Sequence, residues 1–230
     1  MTEPELPPEV VELGDRVFAL LDEGHHEEAE PGLREVLGSA ERLLGPDDPV
    51  TIALLDDLGG TLYQLGRLPE AEAAHREALA RYHRAAGVDH PASLHCAHNL
   101  GTALVMRGER QEGVALLEDT LERRRRVLGE HDDTATTAGT LGAVLFSLGE
   151  SARGLELLEG AYSWFLADLG RQHPKTMDVC GNLVAAVYES GERGRAREML
   201  ARLLADYAEV LGEGHPTTVE TRGRLARMGV

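Results

Sequence analysis

Apolar residues recur at helical spacing along almost the whole chain, in blocks separated by short polar turns. Residues 87–128, GVDHPASLHCAHNLGTALVMRGERQEGVALLEDTLERRRRVL, show the pattern best. There Leu100, Leu104, Leu116, Leu117 and Leu121 fall on the inward faces of two amphipathic helices joined by a tight turn. Two glycine series carry the same unit along the chain. Gly45, Gly87, Gly129, Gly170 and Gly212 are spaced 42, 42, 41 and 42 apart, and Gly24, Gly66, Gly108, Gly149 and Gly191 repeat those intervals. Both series lose one residue at the same place, because GEHD (129–132) is one residue shorter than GRQHP (170–174) or GEGHP (212–216). A deletion shared by two interleaved series is the mark of a tandem array. A fixed period of this length predicts a solenoid, in which each unit buries its apolar face on its neighbours.

Small residues recur where paired helices must approach closely: Gly59, Gly101 and Gly142 in first helices, and Ala29, Ala71, Gly113, Gly154 and Ala196 in second helices. A glycine inside a helix costs about 1 kcal/mol relative to alanine, so its recurrence in register calls for a packing reason. The glycines of the Gly24 series fit left-handed helix ends. The His-Pro dipeptides at 90–91, 173–174 and 215–216 place proline at an early helical position, where its missing N–H does no harm. The pattern predicts helix pairs over about 9–43, 50–86, 91–128, 132–168 and 174–210, a capping helix over 216–228, and a disordered lead-in over 1–8. Residues 9–230 are expected to be one domain.

These residues resemble the tetratricopeptide repeats of the kinesin-light-chain subtype, with a unit of LGxxHPxT…NLGxxLxxxGxxxEA. The lines LGRQHPKTMDVCGNLVAAVYESG (169–191) and GVDHPASLHCAHNLGTALVMRG (87–108) carry the likeness, which covers about residues 10–228. Val184 stands where the repeat has glycine, His75 where a large apolar residue is usual, and Arg16 breaks the pattern in the first copy. The resemblance implies an all-α, right-handed α-solenoid of about five helix-turn-helix repeats plus a capping helix. It also implies that first helices line a concave groove, where an asparagine amide holds a ligand's backbone. Bacterial arrays of this subtype are often fused to a nucleotide-binding switch domain, and this sequence has none.

Composition narrows the functional classes. The formal net charge is −17, which disfavours nucleic acid and anionic membrane. There is no apolar run of transmembrane length, and MTEPELPPEV has neither the basic nor the apolar region of a secretion signal. With Cys96 and Cys180 expected as free thiols, a cytoplasmic protein is expected. No P-loop, GxSxG or HExxH motif occurs, so neither catalysis nor a cofactor is predicted. The run Arg123–Arg126 reads as a solvated helix C-terminus. His90, His131, His173 and His215 recur with the repeat and read as capping or turn residues. His75 reads as a hydrogen-bonded interior histidine.

The outward side of the first helices supplies the candidate binding residues. These are Asp57 and Tyr63 in the second unit, with Asp56 beside them, and His95, His98, Asn99 and Met106 in the third. Phe146 follows in the fourth, and Asn182 and Tyr188 in the fifth. Tyr63, Phe146 and Tyr188 share one repeat position, and Asn99 and Asn182 another. An asparagine both donates and accepts, so it can clamp an extended peptide whatever its side chains. The set holds acids but no arginine or lysine. The expected function is therefore an adaptor whose partner segment is neutral or basic with apolar anchors. Two other readings stay open. One is a metal or small-molecule site on His95, His98 and the nearby acids, and the other is self-association through repeat faces.

Overall fold

The computed structural model describes residues 6–228. Among these the chain forms eleven helices and no strand. Five helix pairs are α1 (Pro8–Asp22) with α2 (His26–Leu43), α3 (Pro49–Gln64) with α4 (Leu68–Ala85), α5 (Pro91–Arg107) with α6 (Arg110–Leu128), α7 (Asp132–Ser147) with α8 (Ser151–Asp168), and α9 (Pro174–Glu189) with α10 (Arg193–Val210). A final helix, α11 (Pro216–Arg227), packs on α10. Most of the expected lead-in lies outside the described residues. Of the remainder, Pro8 already opens α1, and Leu6 packs against the core.

The chain divides into two compact units, one ending at Val127 and one beginning at Leu128. In the first, Leu33, Ile52, Leu62, Leu104 and Leu117 are fully buried and helices pack in chain order. In the second, Leu141, Leu145, Leu158, Leu183 and Leu200 play the same part. Within each unit, first helices of successive pairs also touch: α3 meets α5, and α7 meets α9.

The helix ends follow from the residues at them. All ten glycines of the two series have positive φ, between 65° and 98°, as left-handed helix ends require. The recurring histidines are N-caps: the Nδ1 atoms of His90, His131, His173 and His215 accept from the backbone N–H two residues on, at 3.1–3.3 Å. Asp48 does the same at the start of α3, at 2.9 Å. Each cap satisfies one of the orphan donors of a helix N-terminus.

The small residues are also explained. A Cβ on Gly113 would lie 2.7 Å from the Gly101 carbonyl oxygen, and one on Gly154 would lie 2.7 Å from that of Gly142. These pairs therefore meet backbone to backbone. Adjacent repeats are further tied by ion pairs at long sequence separation, including Arg67–Glu30 and Arg81–Glu41 at 3.0 Å in the first unit and Arg195–Glu159 at 2.6 Å in the second. Exposed pairs of this kind contribute little singly. One expectation fails here: Arg124, in the basic run, is only 2% exposed. It occupies the position of Tyr82, Phe165 and Tyr207 in other pairs, so its long stem substitutes for an aromatic ring in the packing.

Candidate functional site

Three helices of the first unit converge on a polar cluster. Helix α3 contributes Asp56 and Asp57, α4 contributes His75, and α5 contributes His95, Cys96, His98 and Asn99. His75 stands at the repeat position filled elsewhere by Leu33, Leu117, Leu158 and Leu200. Its ring fits only because its α3 neighbour is glycine, since a Cβ on Gly59 would lie 2.6 Å from it. His75 Nδ1 donates to Asp56 Oδ1 at 2.6 Å, and both side chains are buried. The other Asp56 oxygen accepts from Asn99 Nδ2 at 3.3 Å and lies 3.9 Å from His95 Nε2. Cys96 Sγ donates to the His75 carbonyl oxygen at 3.3 Å.

This corrects the sequence reading in two ways. Asp56, expected on the outward side, points into the core with only 6% of its surface exposed. Asn99, expected on the outward side as a ligand clamp, is half-buried and donates to Asp56. The histidine at 75 does have the expected hydrogen-bonded interior role.

The electrostatics follow from this placement. Burial acts to raise the Asp56 pKa, but the hydrogen bond and charge of His75 outweigh it and hold the carboxyl below the ordinary range. Asp57 is exposed at its edge, yet the protein around its carboxyl and the adjacent Asp56 charge push it up to about 6. Desolvation, then Arg124 and His95, push the half-buried His98 down to about 3, so it is neutral at ordinary pH. Burial raises the Cys96 thiol well above its usual value.

The remaining predicted residues are more dispersed. Tyr63 is half-buried, packed against the core about two turns beyond Asp57, while Met106 is 59% exposed at the end of α5. In the second unit Asn182 and Tyr188 are exposed on α9, Phe146 is half-buried on α7, and the Arg193 guanidinium lies 5.7 Å from the Tyr188 ring centroid. Here the sequence reading missed two cations. Arg224 and Arg227 of α11 line a shallow cleft of about 280 Å³ together with Tyr188 and Val184, so this end of the face is not free of basic residues. Arg224 occupies the repeat position of Asn99 and Asn182, a register signal visible in the sequence. Among the described residues, no helix is long and apolar enough to cross a membrane.

Comparison with solved structures finds the same fold repeatedly. A Podosopora anserina protein described as a kinesin light chain with nearly identical TPR-like repeats is 23% identical, with a TM-score of 0.69 over 87% of this chain and 96% of that one. BtubC (BKLC) from P. vanneervenii is 20% identical, with a TM-score of 0.71 over 90% of this chain and 82% of that one. A Rap protein complexed with Competence and Sporulation Factor is 14% identical, with a TM-score of 0.74 over 93% of this chain and 62% of that one. No curated protein matches significantly in sequence. A tetratricopeptide repeat family model matches residues 13–84, 57–126 and 93–162, and a second matches 176–217. The chain is a member of the tetratricopeptide repeat family.

Proposed function

We propose that this protein is an interaction adaptor and that the face formed by α3 and α5 of its first unit binds an extended segment of a partner protein. The observation that supports this most directly is the arrangement of Asp57, His95 and Asn99 over the buried Asp56–His75 pair. Asn99 is held from beneath by its hydrogen bond to Asp56, and His95 lies 3.9 Å from the same oxygen, so Asn99 has little side-chain entropy left to lose on binding. Asn99 donates to Asp56, and its amide oxygen is left to accept a backbone N–H of the bound segment. Tyr63 and Met106 supply apolar contact further along the same helices. Asp57 and the overall charge of −17 favour a neutral or basic segment with apolar anchors. The second unit offers a separate face of Phe146, Asn182 and Tyr188, with Arg224 beside it. The Rap protein of the same fold, in its complex with Competence and Sporulation Factor, is consistent with ligand binding by such an array.

The test is binding of an array of extended peptides that differ in charge and apolar content. Asp57→Lys/His95→Ala and Asn182→Ala/Tyr188→Ala variants of unchanged melting temperature are compared with wild type. Neutral or basic peptides should bind wild type and lose about tenfold or more in affinity to the first variant, each tenfold being about 1.4 kcal/mol. Tight binding of acidic peptides, or affinities indifferent to both variants, would refute the assignment.

A further inference from the structure

We propose that Asp56, His75 and Cys96 form a buried site for one divalent transition-metal ion, of the class of zinc. The three side chains come from three successive helices, and their donor atoms lie within 4.8 Å of one another. Their relative exposures are 6%, 1% and 0%. A carboxylate, an imidazole and a thiol make the mixed O, N, S donor set that such ions accept and that magnesium or calcium does not. A tetrahedral ion with ordinary bond lengths would hold these donors about 3.3–3.8 Å apart. The 2.6 Å contact between Asp56 and His75 must therefore open by less than about 1 Å, within reach of side-chain rotation.

The case for a ligand rather than a packing accident rests on the register. The His75 position is leucine in the other four pairs, all with no exposed surface. The Asp56 position is glycine at Gly14, Gly139 and Gly181 and His98 in the third pair, and the Cys96 position is Leu54, Thr137 or Val179. One layer of one array thus departs from the repeat at three touching positions, and each departure introduces a metal-ligating atom. A buried ion pair is often no more stable than the apolar residues it replaces, so the change is not explained by stability. The surroundings also suit an ion. Asn99 holds Asp56 from outside, as an outer-shell partner would, and His95 Nε2, on the exposed side, is 3.9 Å from Asp56 Oδ2. His95 or a water would complete the coordination and marks the entry path. Uptake displaces the Cys96 thiol proton, which is released to the buffer, while His75 binds as a neutral imidazole.

The test uses the full chain, purified reduced and treated with chelator, then titrated with Co²⁺ as a spectroscopic probe and with Zn²⁺ in competition. The variants are Cys96→Ser and the double change Asp56→Ala/His75→Leu, which restores the apolar layer of the other repeats and so keeps the fold. Wild type should take one equivalent of Co²⁺ with a thiolate-to-cobalt charge-transfer band, release a proton, and melt higher with Zn²⁺. Both variants should lose the band and about a hundredfold or more in affinity. Absence of stoichiometric uptake by wild type overturns the proposal. So does uptake that lacks the thiolate band and persists in the double variant, which would place the ion on surface histidines.

Discussion

Breaking the Asp56–His75 pair from one side should cost far more than removing both partners. Asp56→Ala leaves an imidazole that is 1% exposed, clamped against Gly59, with no carboxylate to receive its Nδ1–H. His75→Leu leaves a buried carboxylate with only the Asn99 amide, at 3.3 Å, and the neighbouring Cys96 thiol as donors. Removing one member of a buried pair costs about 3–5 kcal/mol, because the other is left uncompensated. The double variant leaves a leucine where four other pairs already have one and should return to within about 1 kcal/mol of wild type, or exceed it. The cycle should therefore give a coupling of about 3 kcal/mol or more. In a chain of this size each kcal/mol shifts the melting temperature by about 2–4 °C. The measurement is urea and thermal unfolding of metal-free protein followed by circular dichroism, at pH 7 and again at acid pH. The pH series carries a sign of its own. Asp56 has a lowered folded pKa, so its contribution is present above the ordinary carboxylate value of about 3.9 and is lost as pH falls through the folded value. The double variant should lack that acid loss. Additive single effects, or an Asp56→Ala protein within about 0.5 kcal/mol of wild type, would show that the pair is not coupled and the geometry is wrong.

Two further predictions concern the helix contacts and the open face. Gly113→Ala pushes a methyl against the Gly101 carbonyl and the Val105 backbone nitrogen, so it should destabilise by about 1–3 kcal/mol despite alanine's better helix propensity. Gly160→Ala, in α8 with open space around it, should stabilise by up to about 1 kcal/mol; equal behaviour of the two in urea would contradict the close approach. Asp57, raised to about 6, binds more protons in the folded than the unfolded chain between about pH 4 and 6, so stability falls as pH rises through that window. Asp57→Asn should thus stabilise at pH 7, on the order of 1 kcal/mol after allowing for solvent screening, and change nothing at pH 4.

The fold was legible because its determinants are periodic. Glycines at left-handed helix ends, His-Pro starts and leucines at helical spacing each recur, and agreement among copies removes the ambiguity of any single one. Even the histidine caps could be anticipated, since a residue present in four turns is explained by the turn. The candidate site was only half legible. Its helices followed from the register, but the direction of a side chain near the edge of a buried stripe did not: Asp56 and Asp57 are neighbours, and one points in while the other points out. What decided between them was His75, a residue from the facing helix whose partner no local pattern names. Arg124 was misplaced for a related reason. A basic run at a helix end reads as solvated, yet its repeat position is one that other pairs fill with aromatic rings.

In a tandem array these departures from register carry more functional information than the repeat itself. The repeat supplies several nearly equivalent faces, and equivalence cannot select a partner. Selection requires that one layer differ chemically from the rest. The first unit differs at Asp56, His75 and Cys96, inside the α3–α5 layer, and the second differs at Arg224, where an asparagine position becomes cationic. The interior change reaches the surface through one bond, Asn99 to Asp56. A substitution beneath the face that leaves the array folded should therefore reorient Asn99 and alter ligand affinity without touching a ligand. The Asp56→Ala/His75→Leu protein supplies that test on the peptide array: its stability should be close to wild type while binding at the first unit weakens. If binding is retained in full, the buried pair and the open face are separate devices, and the adaptor reading would rest on Asp57 and His95 alone.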